Sequence, residues 1–439
     1  MTRKSLRTKR IFSIILSLAV ALTMMPVSAL AADGTSTVEN AVAEVAINGS
    51  ATAQYTDIEM AFAAAQEAES ATVKLLADIK TDYHKEDNKF IFTDISGTYT
   101  LDLNGHTVNG SLEVKDANSN LTIKDSKGTG KINPNDGVNT WPALTVSQGS
   151  VTIESGIFAK EVHCTGGAMT IKDGTFAQRV VCNDSTLTIN GGTFTGGQIT
   201  VKNDDYGELT ITGGNFKQPG ESRYAVYNAN TATISGGTFT AESTVVGSDY
   251  FAGGANTGKL TISKGTFTSE SSGTAISMGA GADLTLTGGT FQTRGDGSSY
   301  VISLAETATA EISGGSFPGA EAARVVNSSD AFRDGYGVLK NPDGSLSVGV
   351  KDASAEAVVI ARDGSRTNYL TLSAAAKAAP AGSTVQLQKS LVLTSGISTV
   401  NYGVTIDLNG YDIDGTAVTS SDGAVALKTN YSSKPVDGV

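Results

Sequence analysis

The stretch TATISGGTFT, Thr231–Thr240, decides the fold, because variants of its inner eight residues run along the chain. They read VTIESGIF (151–158), MTIKDGTF (169–176), LTINGGTF (187–194), LTITGGNF (209–216), ATISGGTF (232–239), LTISKGTF (260–267), LTLTGGTF (284–291) and AEISGGSF (310–317). Their phenylalanines, Phe158, Phe176, Phe194, Phe216, Phe239, Phe267, Phe291 and Phe317, lie 18, 18, 22, 23, 28, 24 and 26 residues apart. A fixed phrase with a variable remainder marks a solenoid: each turn keeps its strands, and insertions go into loops.

Within each unit the apolar residues alternate with period two, which reads as strand. In LTITGG, Leu209 and Ile211 point one way and Thr210 the other. A second alternating segment lies about ten residues before the glycines. Its inward pairs read Leu144/Val146, Val162/Cys164, Val180/Cys182, Ile199/Val201, Val226/Asn228, Ile276/Met278 and Ile302/Leu304. No helical pattern separates the strands, which excludes a βαβ sheet. The pattern predicts an all-β chain folded as a right-handed parallel β-helix, each strand pairing with its equivalent roughly 4.8 Å along the axis.

A second self-similarity is domain-sized. YTDIEMAFAAAQEAESATVKLLADI (55–79) resembles YLTLSAAAKAAPAGSTVQLQKSL (369–391), and LDLNGHTVNG (101–110) resembles IDLNGYDIDG (406–415). The Ala-rich segment of each copy reads as a helix covering the open solenoid end, whose edge otherwise invites strand pairing. Around 331–350, NPDG separates two alternating runs, predicting a terminal hairpin. The expected organisation is a signal peptide (1–31), a linker (32–43), a β-helix domain (44–350), a linker (351–357) and a second β-helix domain (358–439). The second copy reaches Val439 without phenylalanine repeats, so the chain reads as a fragment of a longer protein.

The first residues read as a secretion signal: a basic start (Arg3, Lys4, Arg7, Lys9, Arg10), the apolar run IFSIILSLAVALTMM, then Ala29–Ala31 for cleavage. Its removal takes five positive charges and no negative ones, moving the formal net charge from −12 to −17. That balance argues against nucleic acid and anionic membranes as partners. No later segment is apolar enough to span a bilayer. With 50 glycines and no long charge blocks, the chain reads as rich in tight turns rather than disordered.

The LTIxGGTF units and LDLNGHTVNG together resemble the right-handed β-helix, pectate-lyase-like surface proteins of clostridia, over roughly residues 44–350. The signal is similar to those of Gram-positive gut clostridia and their relatives. The resemblance implies a secreted or surface-attached protein. Enzymes of that type carry calcium-binding carboxylates and an Arg or Lys base on an outward face.

The residues themselves point elsewhere. The expected outward column of the second strand reads Thr145, His163, Val181, Thr200, Tyr227, Ser277, Ser303, without the paired carboxylates that acid/base or nucleophilic work requires. Asp204 and Asp205 are expected to offer at most a weak Ca²⁺ site; no other cofactor is expected. Cys164 and Cys182 align on adjacent coils, within reach of a disulfide or equally suited to being two buried thiols. His163 points away from them, so no metal site is expected. Thr122, Thr152, Thr170, Thr188, Thr210, Thr233, Thr261 and Thr285, closed by Glu311, form an outward column. It suits a solvated strand face better than an ice-binding one, which calls for two regular columns.

The remaining candidates sit in loops 217–228, 247–254 and 292–301. Stacked on one edge, these would gather Arg223, Tyr224, Tyr227, Asp249, Tyr250, Phe251, Arg294, Asp296 and Tyr300. Exposed aromatics with Arg and Asp are equipment for stacking on sugars and hydrogen-bonding to them. The sequence therefore predicts a monomeric, non-catalytic scaffold or adhesin that binds extracellular glycans or host surface molecules. A polysaccharide lyase or glycoside hydrolase on the same fold is the alternative. Self-assembly through open ends is a third class, which the cap at 55–66 should block.

Overall fold

The computed structural model describes residues 38–48, 52–66, 68, 70–80, 96–134, 142–204, 206–220, 224–248, 258–271, 274–294, 298–341, 343–351, 355–394, 397–401, 403–418 and 427–429. The expected signal peptide lies outside the described residues, as do Asp205, Arg223, Asp249, Tyr250, Phe251 and Asp296.

A central coil of the long domain carries three short strands, for example Ala168–Ile171, Thr175–Phe176 and Val180–Cys182. Each pairs in parallel with its equivalents one coil away, so the chain winds as a parallel β-helix. The strands line up in sheets of 13, 13 and 9, here called the threonine, phenylalanine and cysteine sheets after the residues that mark them. No described helix is long and apolar enough to cross a membrane.

Register holds residue for residue in the threonine sheet. The column runs Thr72, Thr100, Thr122, Thr152, Thr170, Thr188, Thr210, Thr233, Thr261, Thr285 and then Glu311, two coils further toward the N-terminus than the expected column, which begins at Thr122. Coil length varies without disturbing it, because the extra residues leave between strands. Behind the threonines, Leu209, Ile211, Ile234 and Ile262 are buried in the tube.

The phenylalanines form one column. From Phe158 to Phe317 the neighbouring rings stack with centroids 4.5–5.5 Å apart. Such contacts add about 0.5–1.5 kcal/mol per pair beyond burial. The glycine two residues earlier makes room for each ring. Gly237 has φ +100°, and a Cβ built there would lie 3.1 Å from the Phe239 ring. A side chain at this position would be strained and would press on the stack.

Both ends of the tube are closed by antiparallel strands. At the N-terminal end the expected helix forms over Ile58–Ala65, with Asp57 Oδ1 accepting from Glu59 N at 2.7 Å and Met60 N at 3.1 Å. It packs on a hairpin the sequence did not announce, Ala43–Ile47 with Ala53–Tyr55, whose first strand runs antiparallel to Ser70–Leu75. The other end carries the expected hairpin, Tyr336–Lys340 with Leu346–Val350, which extends the phenylalanine sheet by pairing antiparallel to Ser316–Phe317. The turn is locked by Asp343 Oδ1, which accepts from Ser345 N at 2.9 Å and Ser345 Oγ at 2.6 Å.

A second unit begins at Ala357–Ile360 and repeats the opening of the first: hairpin partner Arg366–Tyr369, helix Leu372–Ala378, then Thr384–Leu387 paired in parallel with Thr405–Asp407. It has its own small core around Val359, Leu372, Val385 and Leu387.

Two sequence expectations about the cysteine sheet are corrected. Val201 pairs with Val180 and Asn203 with Cys182, so the inward pair of that coil is Val201/Asn203 rather than Ile199/Val201. Lys202, not Thr200, therefore takes the outward place. The slip of two residues preserves the face. It arose because an asparagine replaces an apolar core residue there, and Asn203 is made tolerable by a buried amide ladder: its Nδ2 donates to Asn228 Oδ1 at 2.7 Å and Thr231 O at 2.9 Å. The second correction is a missed coil. Val246–Gly247 forms a cysteine-sheet strand between Val226–Asn228 and Ile276–Met278.

Candidate functional site

The missed strand sets which sheets the described ends of the candidate connections join. Gln218 and Thr293 end phenylalanine-sheet strands, and Val226 and Ile302 begin the cysteine-sheet strands that follow, whereas Gly247 ends a cysteine-sheet strand and Lys259 begins a threonine-sheet one. Tyr224, Arg294 and Tyr300 thus flank the corner between the phenylalanine and cysteine sheets, while the other candidates of these connections, Arg223, Asp249, Tyr250, Phe251 and Asp296, lie outside the described residues.

This corner changes character along the axis. From Ile157–Phe158 to Thr193–Phe194 the phenylalanine strand has two residues; from Asn215–Gln218 to Thr290–Thr293 it has four. The extension keeps register, Ala241 opposite Ser269 and Ser269 opposite Thr293. The next residues, Glu242, Glu270 and Arg294, are aligned on successive coils by backbone bonds such as Glu270 N to Ala241 O and Arg294 N to Ser269 O, both 2.9 Å. Arg294 Nη1 donates to Glu270 Oε2 at 2.9 Å while its side chain stays 58% exposed. Half-buried Tyr300 follows on the same connection, with the Arg324 guanidinium 5.2 Å from its ring centre. This surface holds cations, carboxylates and an aromatic ring within a few coils. Sequence reading found Arg294 and Tyr300 but missed Glu242, Glu270 and Arg324. The usable signal was position three after each phenylalanine, which reads Glu, Glu, Arg after Phe239, Phe267 and Phe291.

Tyr224 and Tyr227 do not join that surface. They are 8% and 3% exposed and pack with Ile199 in a small satellite cluster, rings tilted at 5.9 Å. The expectation that they present open rings for sugar stacking is corrected: the apolar surface of Ile199 covers them. Asp204 is held by the ammonium of Lys202 on its own strand. Among the described residues no three His, Cys, Asp or Glu side chains converge as a metal site.

Cys164 and Cys182 stand opposite one another in register, both fully buried, and both are free thiols. Each bonds locally: Cys164 Sγ to Gly167 O at 3.6 Å, Cys182 Sγ to Ser185 O at 3.4 Å. Burial pushes the Cys164 thiol up to about 11 and also raises that of Cys182, so neither is a ready thiolate nucleophile. On the outer side, Glu161 links His163 Nε2 at 2.8 Å and Arg179 Nη2 at 2.9 Å. The His163 bond, then burial opposing it and the Arg179 charge, leave the Glu161 carboxyl below its ordinary range.

A second concave feature lies between the terminal hairpin and the second unit. It is a cleft of about 400 Å³, lined on one side by Val338, Lys340, Leu346 and Lys351 and on the other by Gln388, Asn409 and Tyr411. Its walls are tied together. Gln386, fully buried, donates from Nε2 to Lys340 O at 2.8 Å and to Asp407 Oδ2 at 2.9 Å. Arg366 bridges Gln386 Oε1 at 3.0 Å and Asn341 Oδ1 at 2.9 Å.

Compared with models of known protein families, with proteins of known function and with solved structures, the chain finds no significant match, so its geometry alone carries the functional reading.

Proposed function

We propose that this is a secreted, surface-attached β-helix protein, built like the pectate-lyase-like surface proteins of clostridia, that acts as a non-catalytic scaffold presenting a glycan-binding corner. The observation that carries the proposal is the surface formed by Glu270, Arg294, Tyr300 and Arg324 on the late coils. A part-exposed ring with a guanidinium over it, and a guanidinium–carboxylate pair on the late coils, offer a stacking face and hydrogen-bond partners for sugar hydroxyls. The rigid tube beneath it holds these groups in place without a conformational change.

One observation favours a second reading, hydrolysis or elimination on a polysaccharide. Glu242 and Glu270 occupy equivalent places on neighbouring coils beside Arg294. Carboxyl groups about 5–9.5 Å apart serve glycosidases, and adjacent coils set backbones roughly 4.8 Å apart.

A glycan array on the chain from residue 32, run beside hydrolase and lyase assays on polygalacturonate, separates the two. Binding without turnover, lost in Tyr300→Ala/Arg324→Ala, is the expected result. Release of reducing ends or unsaturated product, abolished by Glu242→Gln or Glu270→Gln, would replace scaffold with enzyme.

A further inference from the structure

The cleft between the terminal hairpin and the second unit is chemically lopsided. Neither Lys340 nor Lys351 has a carboxylate within 4.0 Å among the described residues. This occurs in a chain where acidic residues outnumber basic ones, 44 to 32. Opposite them, Gln388 spends its amide nitrogen on Leu387 O at 3.1 Å, and Asn409 spends its own on the same carbonyl at 3.1 Å. The amide oxygens, Gln388 Oε1 and Asn409 Oδ1, have no donor among the described residues. One wall thus offers cationic donors and the other offers neutral acceptors. Tyr411, 38% exposed, and the aliphatic surface of Val338 and Leu346 supply apolar area between them.

The lysine on the hairpin is also seated. Lys351 lies across Gly337, where a Cβ would come within 2.7 Å of Lys351 Cδ and 3.1 Å of its Nζ. The missing side chain at Gly337 lets the ammonium lie along the cleft wall. The buried Gln386–Arg366 network holds the two walls at a fixed separation, so the donors and acceptors are positioned before any ligand arrives.

We infer that this cleft binds an acidic monosaccharide unit, with its carboxylate at Lys340 and Lys351 and its hydroxyls donating to Gln388 and Asn409. The volume of about 400 Å³ lies within the range of small-molecule sites. A carboxylate satisfies the two ammoniums, vicinal hydroxyls satisfy the two acceptors, and a pyranose face suits the aromatic and aliphatic lining. The inference rests on the glycan-binding reading and gives it a second, charge-selective site.

Isothermal titration of the chain from residue 32 tests it, using D-glucuronate, N-acetylneuraminate, methyl glucuronate ester and glucose. Saturable binding of one or both acids, but not of the ester or glucose, is expected; the acid that binds identifies the source of the carboxylate. Lys340→Ala/Lys351→Ala should weaken that binding about tenfold or more while leaving the circular-dichroism melt in place. Gly337→Ala, which crowds Lys351 without removing any polar group, should cause a smaller loss. Failure of both acids to bind, equal binding of glucose, or indifference to the double lysine variant would overturn the site. Array binding that depends on Tyr300 and Arg324 while both acids fail would leave the corner standing and remove only the cleft. Acid binding with a blank array would do the reverse.

Discussion

The chain builds the same opening twice and finishes it differently. In both copies a strand, a returning strand, a short helix and a third strand follow in order, Ala43–Leu75 in the first and Ala357–Leu387 in the second. Ala43 lies opposite Leu75, and Ala357 opposite Leu387. Each continues into the same turn: Asn104 and Asn409 sit at φ 47° and 50°, their N–H groups bond Asp102 and Asp407 at 2.9 Å, and their amides bond Leu75 O and Leu387 O. The copies part on the outer face. The first carries Glu44 and Lys74, an ion pair at 3.0 Å that remains partly exposed. At the corresponding pair the second carries Val358 and Gln386, 2% and 0% exposed, with Gln386 bonded to the hairpin of the first domain. The inner face makes the fold; the outer face decides whether the unit stands in water or against a neighbour.

Substitutions should separate the two units. The largest effect belongs to Phe239→Ala, in the middle of a stack the second unit lacks among its described residues. A loss of about 3–5 kcal/mol is expected from chemical denaturation, with amide exchange at Val385 and Leu387 unchanged. Faster exchange at both would mean the two units unfold as one.

Next comes Gln386→Ala, which strips partners from Arg366, Asp407 and the Lys340 carbonyl at once. Thermal unfolding should report a cost of about 1–3 kcal/mol. Its counterpart, Lys74→Ala, should cost at most about 1 kcal/mol because that ion pair is solvated. A reversal of this order would refute the claim that burial separates the copies. Asn104→Ala and Asn409→Ala should each cost about 1 kcal/mol, and by similar amounts, since each loses a left-handed turn residue and one amide bond.

The smallest effect is a pH dependence confined to the long domain. The folded Glu161 carboxyl is held below its ordinary value of 4.5, chiefly by its His163 hydrogen bond and also by the Arg179 charge. A depressed folded value means the contribution is complete above the unfolded value and is lost as pH falls through the folded one. Melting temperatures of Glu161→Gln and the parent protein should differ at neutral pH and converge below about pH 4.5. A constant gap would assign the difference to packing.

The repeat was legible because stacking imposes one residue type on every coil at a given place. The phenylalanine column, the threonine column and both terminal elements could be read from periodicity, since each position answers to its equivalent directly above and below. Where a coil departs from the pattern, reading along the chain fails. Asn203 took a core place that apolar periodicity had assigned to Val201, and Val246–Gly247 was too short and too rich in glycine to register as a strand. Tyr224 and Tyr227 read as loop aromatics, yet Ile199 gave them an apolar partner and buried them.

By itself, then, the sequence determined the coil: which residues face inward, where the chain turns, and that a second copy of the opening follows the first. These follow from local alternation and from identical neighbours one coil apart. Only the tertiary structure decided which outward groups meet across coils and across units. Glu270 reaches Arg294, 24 residues on, because the next coil returns the chain to the same register. Gln386 reaches Lys340 O across 46 residues because the second cap packs on the first hairpin. Such contacts leave no periodic trace, because they depend on where separate segments end up in space.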